Sequence, residues 1–238
     1  MIKQTNLSFL VPVAFCLTLL FFFVPAYGNG DAETKQKVEN QPDLESVIQK
    51  VEHRYKSLKD FQAHFIQLAR ILSYPEDQRS EGKVYLKRDR MMRWDYETPS
   101  KDQYFINHDT VIFYSPDIKQ ARRISLTSHE GIRSPLVFFE GLKTAEPDYI
   151  LSFNNEPIFD RSTRHILQLT PRNREKTPLL KILLFVDKSD YQVTRVDQYD
   201  LYGNVTELYF QDVKTNQKLT DSHFLFEAPK GVEIINQP

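Results

Sequence analysis

The apolar positions of this chain fall first into a helical period and then into a strand period. Leu44, Val47, Ile48, Val51, Tyr55 and Leu58 recur at i, i+3, i+4, i+7 spacing, which predicts an amphipathic helix with one apolar face. Asp43 stands where an N-cap belongs, and the helix is expected to end near Lys59. The period then changes to two. Phe61, Ala63, Phe65 and the stretch Ala69 to Ile71 are read as alternating with Gln62, His64 and Gln67.

The stretch KRDRMMRWDYETP, Lys87 to Pro99, reads as the turn and second arm of a β-hairpin whose first arm is Gly82 to Arg88. Val84 and Leu86 share one face of the first arm, and Met92, Trp94 and Tyr96 share one face of the second. Arg88 has the parity of Val84 and Leu86, so an apolar face carries an arginine near its end. Two readings stay open. The guanidinium reaches back to solvent along its aliphatic stem, or it lies inside an apolar cavity. In a cavity it must be hydrogen-bonded, because an unpaired buried charge is costly. Its natural partners are then backbone carbonyls of whatever closes the cavity.

Further strands are expected at Tyr104 to Ile106, Val111 to Tyr114 and Gln120 to Leu126. After the middle of the chain they resume at Tyr149 to Phe153, Pro157 to Phe159, His165 to Thr170, Leu179 to Val186, Tyr191 to Tyr199, Val205 to Val213 and Ser222 to Phe226. The end, Phe224 to Ile235, reads as a strand stopped by Pro229 and Gly231. Short loops make this an antiparallel meander. In the middle, Ser134-Pro135 looks like an N-cap with proline at the first helical position, followed by the apolar run Leu136 to Leu142. That helix is either a buried plug on one sheet face or a movable lid over an apolar cavity. The expected class is α+β, mainly antiparallel β. It is a strongly curved or incomplete barrel of about eleven strands, with the two helices on its concave side as the only cover available.

Composition narrows the function. The formal net charge is −1, so no electrostatic footprint for nucleic acid is present. Lys3, the apolar run Phe9 to Val24 and Ala26-Tyr27-Gly28 predict a secretory signal peptide over residues 1–28, a retained anchor being the alternative. A polar, disordered linker over 29–42 and one domain over 43–238 follow. The single cysteine, Cys16, lies in the apolar run, which leaves the remainder without disulfide, thiol nucleophile or thiolate ligand. The chain lacks G-x-S-x-G, H-E-x-x-H, P-loop and G-x-G-x-x-G motifs, and its six histidines are scattered. No enzyme, metal or cofactor is expected.

The motifs taken in order resemble the periplasmic outer-membrane lipoprotein carrier family, LolA. The resemblance rests on Leu86-Lys87-Arg88 six residues before Trp94, R-W-D-Y-E-T-P at Arg93 to Pro99, and T-V-I-F-Y-S-P-D-I-K-Q at Thr110 to Gln120. It also rests on S-P-L-V-F-F-E-G-L from Ser134 and F-x-F-x-x-P-K-G-V at Phe224 to Val232. The chain departs from the family at Asp89, where proline is frequent. The resemblance implies a half-open barrel lidded by helices, with an apolar cavity for acyl chains. It implies Arg88 as a latch on the lid, and transfer of lipoproteins from an inner-membrane ABC transporter to an outer-membrane receptor across the periplasm. Parity and apolarity select Phe65, Val84, Leu86, Met92, Trp94, Tyr96, Ile106, Leu136 and Phe139 as lining candidates. A monomer is expected. The alternative functions are a sensor or scaffold module of the same fold, or a carrier of another lipid.

Overall fold

The structure, a computed structural model, describes residues 42–125 and 137–237. The expected signal peptide, nearly all of the linker, the Ser134-Pro135 cap and Leu136 lie outside these residues. Helix α1, Leu44–Lys56, begins where the Asp43 carboxylate accepts the Ser46 N–H at 3.2 Å. Glu45 in its first turn and His53, Arg54 and Lys56 in its last complement the helix dipole. Its buried face is Val47, Ile48, Val51 and Tyr55.

Six strands follow: β1 Asp60–Arg70, β2 Gln78–Lys87, β3 Met91–Thr98, β4 Gln103–Asn107, β5 Thr110–Ser115 and β6 Gln120–Ser125. Helix α2, Val137–Glu140, and a 3-10 turn, Leu142–Ala145, precede β7 Tyr149–Phe153, β8 Arg164–Pro171, β9 Leu179–Asp187, β10 Val193–Asp200 and β11 Val205–Thr215. The last strand is β12, Glu233–Gln237. The twelve strands of the described residues form one sheet in the order β12-β6-β5-β4-β3-β2-β1-β11-β10-β9-β8-β7. The two ends of that order are not paired with each other, so the sheet is an open, incomplete barrel.

Three expectations are corrected. Pro157 to Phe159 is a turn, and Phe159 folds back so that its ring packs 5.4 Å from that of Phe185. Ser222 to Phe226 is no strand; Asp221–Phe224 forms a 3-10 turn. The alternation of Phe224 and Phe226 serves a crossing segment, which drops aromatic rings onto the outer face rather than pairing in the sheet. Phe224 is fully buried, and Phe226 packs against Phe105 and Tyr114 with ring centroids 5.4 and 5.1 Å apart. Asp60 anchors the start of this crossing by accepting the N–H groups of Gln217 and Leu219. The final strand starts only after Gly231, whose φ of +83° turns the chain, and β12 runs parallel to β6. The meander is antiparallel at every other pairing.

The β2–β3 turn places Asp89 and Arg90 in the left-handed region, with φ of 67° and 59°. Proline cannot adopt that φ, whereas aspartate tolerates it. Within β2, Gly82 sits at a register shift against β3, where an added Cβ would lie 2.0 Å from the Asp95 carbonyl oxygen. Only glycine permits the two strands to approach this closely here. Gly82→Ala is expected to lower unfolding stability by roughly 2 kcal/mol or more, read from urea denaturation, because backbone rather than a flexible side chain must move.

On the outer face, the Arg195 guanidinium is held by the Asp197 and Glu207 carboxylates and lies over the Phe185 and Tyr209 rings. Asp197 is fully buried, and burial pushes its carboxyl up to about 6 against the opposing pull of Arg195. The folded state therefore binds this proton more tightly than the unfolded state. The stability the carboxyl contributes is complete below about pH 4 and is lost as pH rises through about 6. In urea titrations between pH 4 and 7, wild type should lose this component, and Asp197→Asn should show a flatter profile.

Candidate functional site

The inner face is built row by row from strand register. Phe61, Leu86, Met92 and Ile106 are successive cross-strand neighbours on β1 to β4 and make the row nearest the β2–β3 turn. Ala63, Val84, Trp94 and Tyr104 make the next, and Phe65, Gly82 and Tyr96 the third. From the other half of the sheet, Leu167, Leu169, Leu184, Val196 and Phe210 join the same buried cluster. The expected candidates Phe65, Val84, Leu86, Met92, Trp94, Tyr96 and Phe139 all lie buried in that cluster. Ile106 is half-buried and packs against it. The structure thus brings these residues together.

This face is filled by α2 and the 3-10 turn after it. Phe138 is 0 % exposed, and Val137, Phe139, Leu142 and Ala145 are buried with it. The Phe138 ring lies 5.0 Å from Tyr55, 6.5 Å from Phe61 and 6.0 Å from Phe210. The Phe139 ring lies 6.2 Å from Phe61. Edge-on and tilted packing of this kind adds to the gain from burying the rings themselves. These ring contacts hold α2 on the sheet. Glu52 of α1 accepts the Lys143 backbone N–H at 3.0 Å, and the Glu45 carboxylate pairs with the Lys143 ammonium at 2.7 Å. Beside α1, an open cleft of about 370 Å³ is lined by Leu44, Ile48, Tyr149, Ile150 and Leu151, with Asp43, Glu45, Glu146 and Arg172 around it.

Arg88 turns inward. Its Nε donates to the Leu58 carbonyl at 3.0 Å, Nη1 to the Phe139 carbonyl at 2.9 Å, and Nη2 to the Tyr55 carbonyl. The guanidinium also lies 5.0 Å from the centre of the Phe139 ring. One side chain at the β2–β3 turn therefore links the end of α1, the entry to β1 and α2. The three carbonyls are neutral acceptors, and none of these bonds involves a carboxylate.

Sequence reasoning selected Phe139 and passed over Phe138, although both stand in one apolar run; a helix this deeply seated buries both. It also set Gln67 among the outward-facing residues. Counting from Phe65, Gln67 is on the inner parity, and it is buried there because its side-chain oxygen accepts the Tyr96 hydroxyl at 2.9 Å. Burial raises the Tyr96 and Tyr104 hydroxyls well above the usual tyrosine range, so both remain neutral donors. The Tyr55 hydroxyl, pushed up to about 12 by burial, accepts the Val193 N–H at 3.0 Å.

The family profile described as "Outer membrane lipoprotein carrier protein LolA" matches residues 56–227. A protein of Methylobacillus flagellatus named outer-membrane lipoprotein carrier protein is 26% identical over 183 residues, covering 77% of this chain and 85% of its own. A Helicobacter hepaticus protein of the same name is 27% identical over 180 residues, covering 76% of this chain and 85% of its own. Among solved structures, an uncharacterized conserved protein of Thermus thermophilus shares the fold at a TM-score of 0.52 and 16% identity. It aligns over 81% of this chain and 98% of its own.

Phe138→Ala should cost about 3 kcal/mol in urea denaturation, since it empties a ring-sized volume among Tyr55, Phe61 and Phe210. The same variant should bind an apolar fluorescent dye more strongly than wild type does.

Proposed function

The chain belongs to the outer-membrane lipoprotein carrier family LolA, and on that footing we propose that it carries lipoproteins through the periplasm by sheltering their acyl chains on its inner face. In this reading it takes them from an inner-membrane ABC transporter and hands them to an outer-membrane receptor, acting as a monomer and without a catalytic step. The observation that carries the reading is the triple hydrogen bond from Arg88 to the Tyr55, Leu58 and Phe139 carbonyls, which ties α2 over a continuous apolar face.

The energetics suit the task. Burying an acyl chain is worth about 0.8 kcal/mol per methylene, so a chain of about sixteen carbons represents on the order of 12 kcal/mol. Such a chain cannot cross an aqueous compartment bare. Binding it requires α2 to withdraw, and its phenylalanines then leave the seats that the acyl chain occupies. The apolar contacts are exchanged rather than lost. The Arg88 bond to Phe139 has no such replacement, and the loaded state lies higher by the cost of breaking it. That difference between the two states favours handover without nucleotide in this chain.

A release assay tests this directly. Spheroplasts carrying a labelled outer-membrane lipoprotein are incubated with the purified protein, and a soluble complex is expected. Absence of a complex, with a competent carrier working beside it, would move the reading to a sensor or scaffold module or to a different lipid. Arg88→Leu is expected to accept lipoprotein within about twofold of wild type while delivery to a receptor falls about tenfold. Normal delivery by that variant would remove Arg88 from the mechanism.

A further inference from the structure

One polar group on the inner face has no partner among the described residues. Trp94 is 3 % exposed, and its indole Nε1–H finds no acceptor among the described residues. A donor buried in apolar surroundings without an acceptor is costly and uncommon in native folds. Its neighbours indicate what would satisfy it. The row nearest Arg88 is wholly apolar, with Leu86, Met92 and Ile106 in register. The next row holds Trp94 beside Tyr104. The row beyond holds Tyr96, whose hydroxyl donates to Gln67. Polarity therefore rises along the face with distance from Arg88, and Trp94 stands at the boundary.

A bound acyl chain has the same profile: hydrocarbon, then the carbonyl of an ester or amide, then a polar headgroup. Resting on the carrier reading, we propose that the Trp94 Nε1–H donates to the carbonyl oxygen that ends a bound acyl chain. This fixes the direction of the chain on the sheet, with hydrocarbon toward Leu86, Met92 and α2 and the headgroup toward Tyr96 and Gln67. It also selects acyl chains over ether-linked ones of equal length, because an ether oxygen is a much poorer acceptor than a carbonyl.

Trp94 is the only tryptophan of the chain, so the nitrogen-15-labelled protein gives a single indole N–H resonance. The purified protein is titrated with a diacylglyceryl lipopeptide, whose chains are ester-linked, and with its dialkyl-ether analogue. The ester ligand is expected to move the indole proton downfield and protect it from exchange, and the ether analogue to leave it nearly unchanged. Trp94→Phe keeps an aromatic ring, smaller than indole, and loses the donor, so its preference for the ester ligand over the ether analogue should fall about fivefold to tenfold relative to wild type. Equal binding of the ester ligand by both proteins, with the indole signal unmoved in wild type, overturns the donor role and leaves the carrier reading intact. Failure of both ligands to bind wild type overturns the carrier reading and this inference together.

Discussion

A sheet that never closes on itself must cover its apolar inner face with something other than its own strands. Here the cover is small. Among the described residues, helix α1 supplies one apolar stripe, and Val137–Glu140 with the turn after it supplies another. The central piece is held where Phe138 and Phe139 are seated among Tyr55, Phe61 and Phe210. Its stability is therefore borrowed from contacts that another apolar body could equally make. Arg88 adds a directional element, since hydrogen bonds to three named carbonyls cannot be supplied by hydrocarbon.

The outer face follows different rules. Its buried residues form two separate clusters, around Phe105 and Tyr114 and around Ile166, Leu183 and Phe185. The crossing segment that begins at Asp60's hydrogen bonds and ends in β12 covers the first of these. The Arg195 network is also on the outer side. These contacts lie apart from the inner cover, so the exchange proposed for that cover would leave them in place.

Much of this was legible in the sequence, for physical reasons. The 3.6-residue period of Leu44 to Leu58 and the twofold period of Val84, Leu86, Met92, Trp94 and Tyr96 follow directly from one-sided burial, and both place their residues on the inner side. The open barrel was legible as well, because so many strands had only two helices to cover them. The misreadings arose where alternation had another cause. Phe224 and Phe226 alternate because the segment crosses the strands, and Phe159 is buried from within a turn. The parallel pairing of β12 with β6 joins residues far apart in the chain, and no local pattern encodes it. Nor does parity reveal that Gln67 is satisfied by Tyr96, a match that only strand register brings about.

The unpaired ends of the strand order have a mechanical consequence. In a closed barrel, strand number and stagger together fix the girth, so the interior cannot swell without breaking a ladder. A sheet running from β12 to β7 without closure carries no such hoop constraint. Small changes of twist spread over its strands can alter its curvature while every inter-strand hydrogen bond survives. The molecule is thus compliant across the sheet and stiff along each strand, a trough whose width can be set by whatever lies in it.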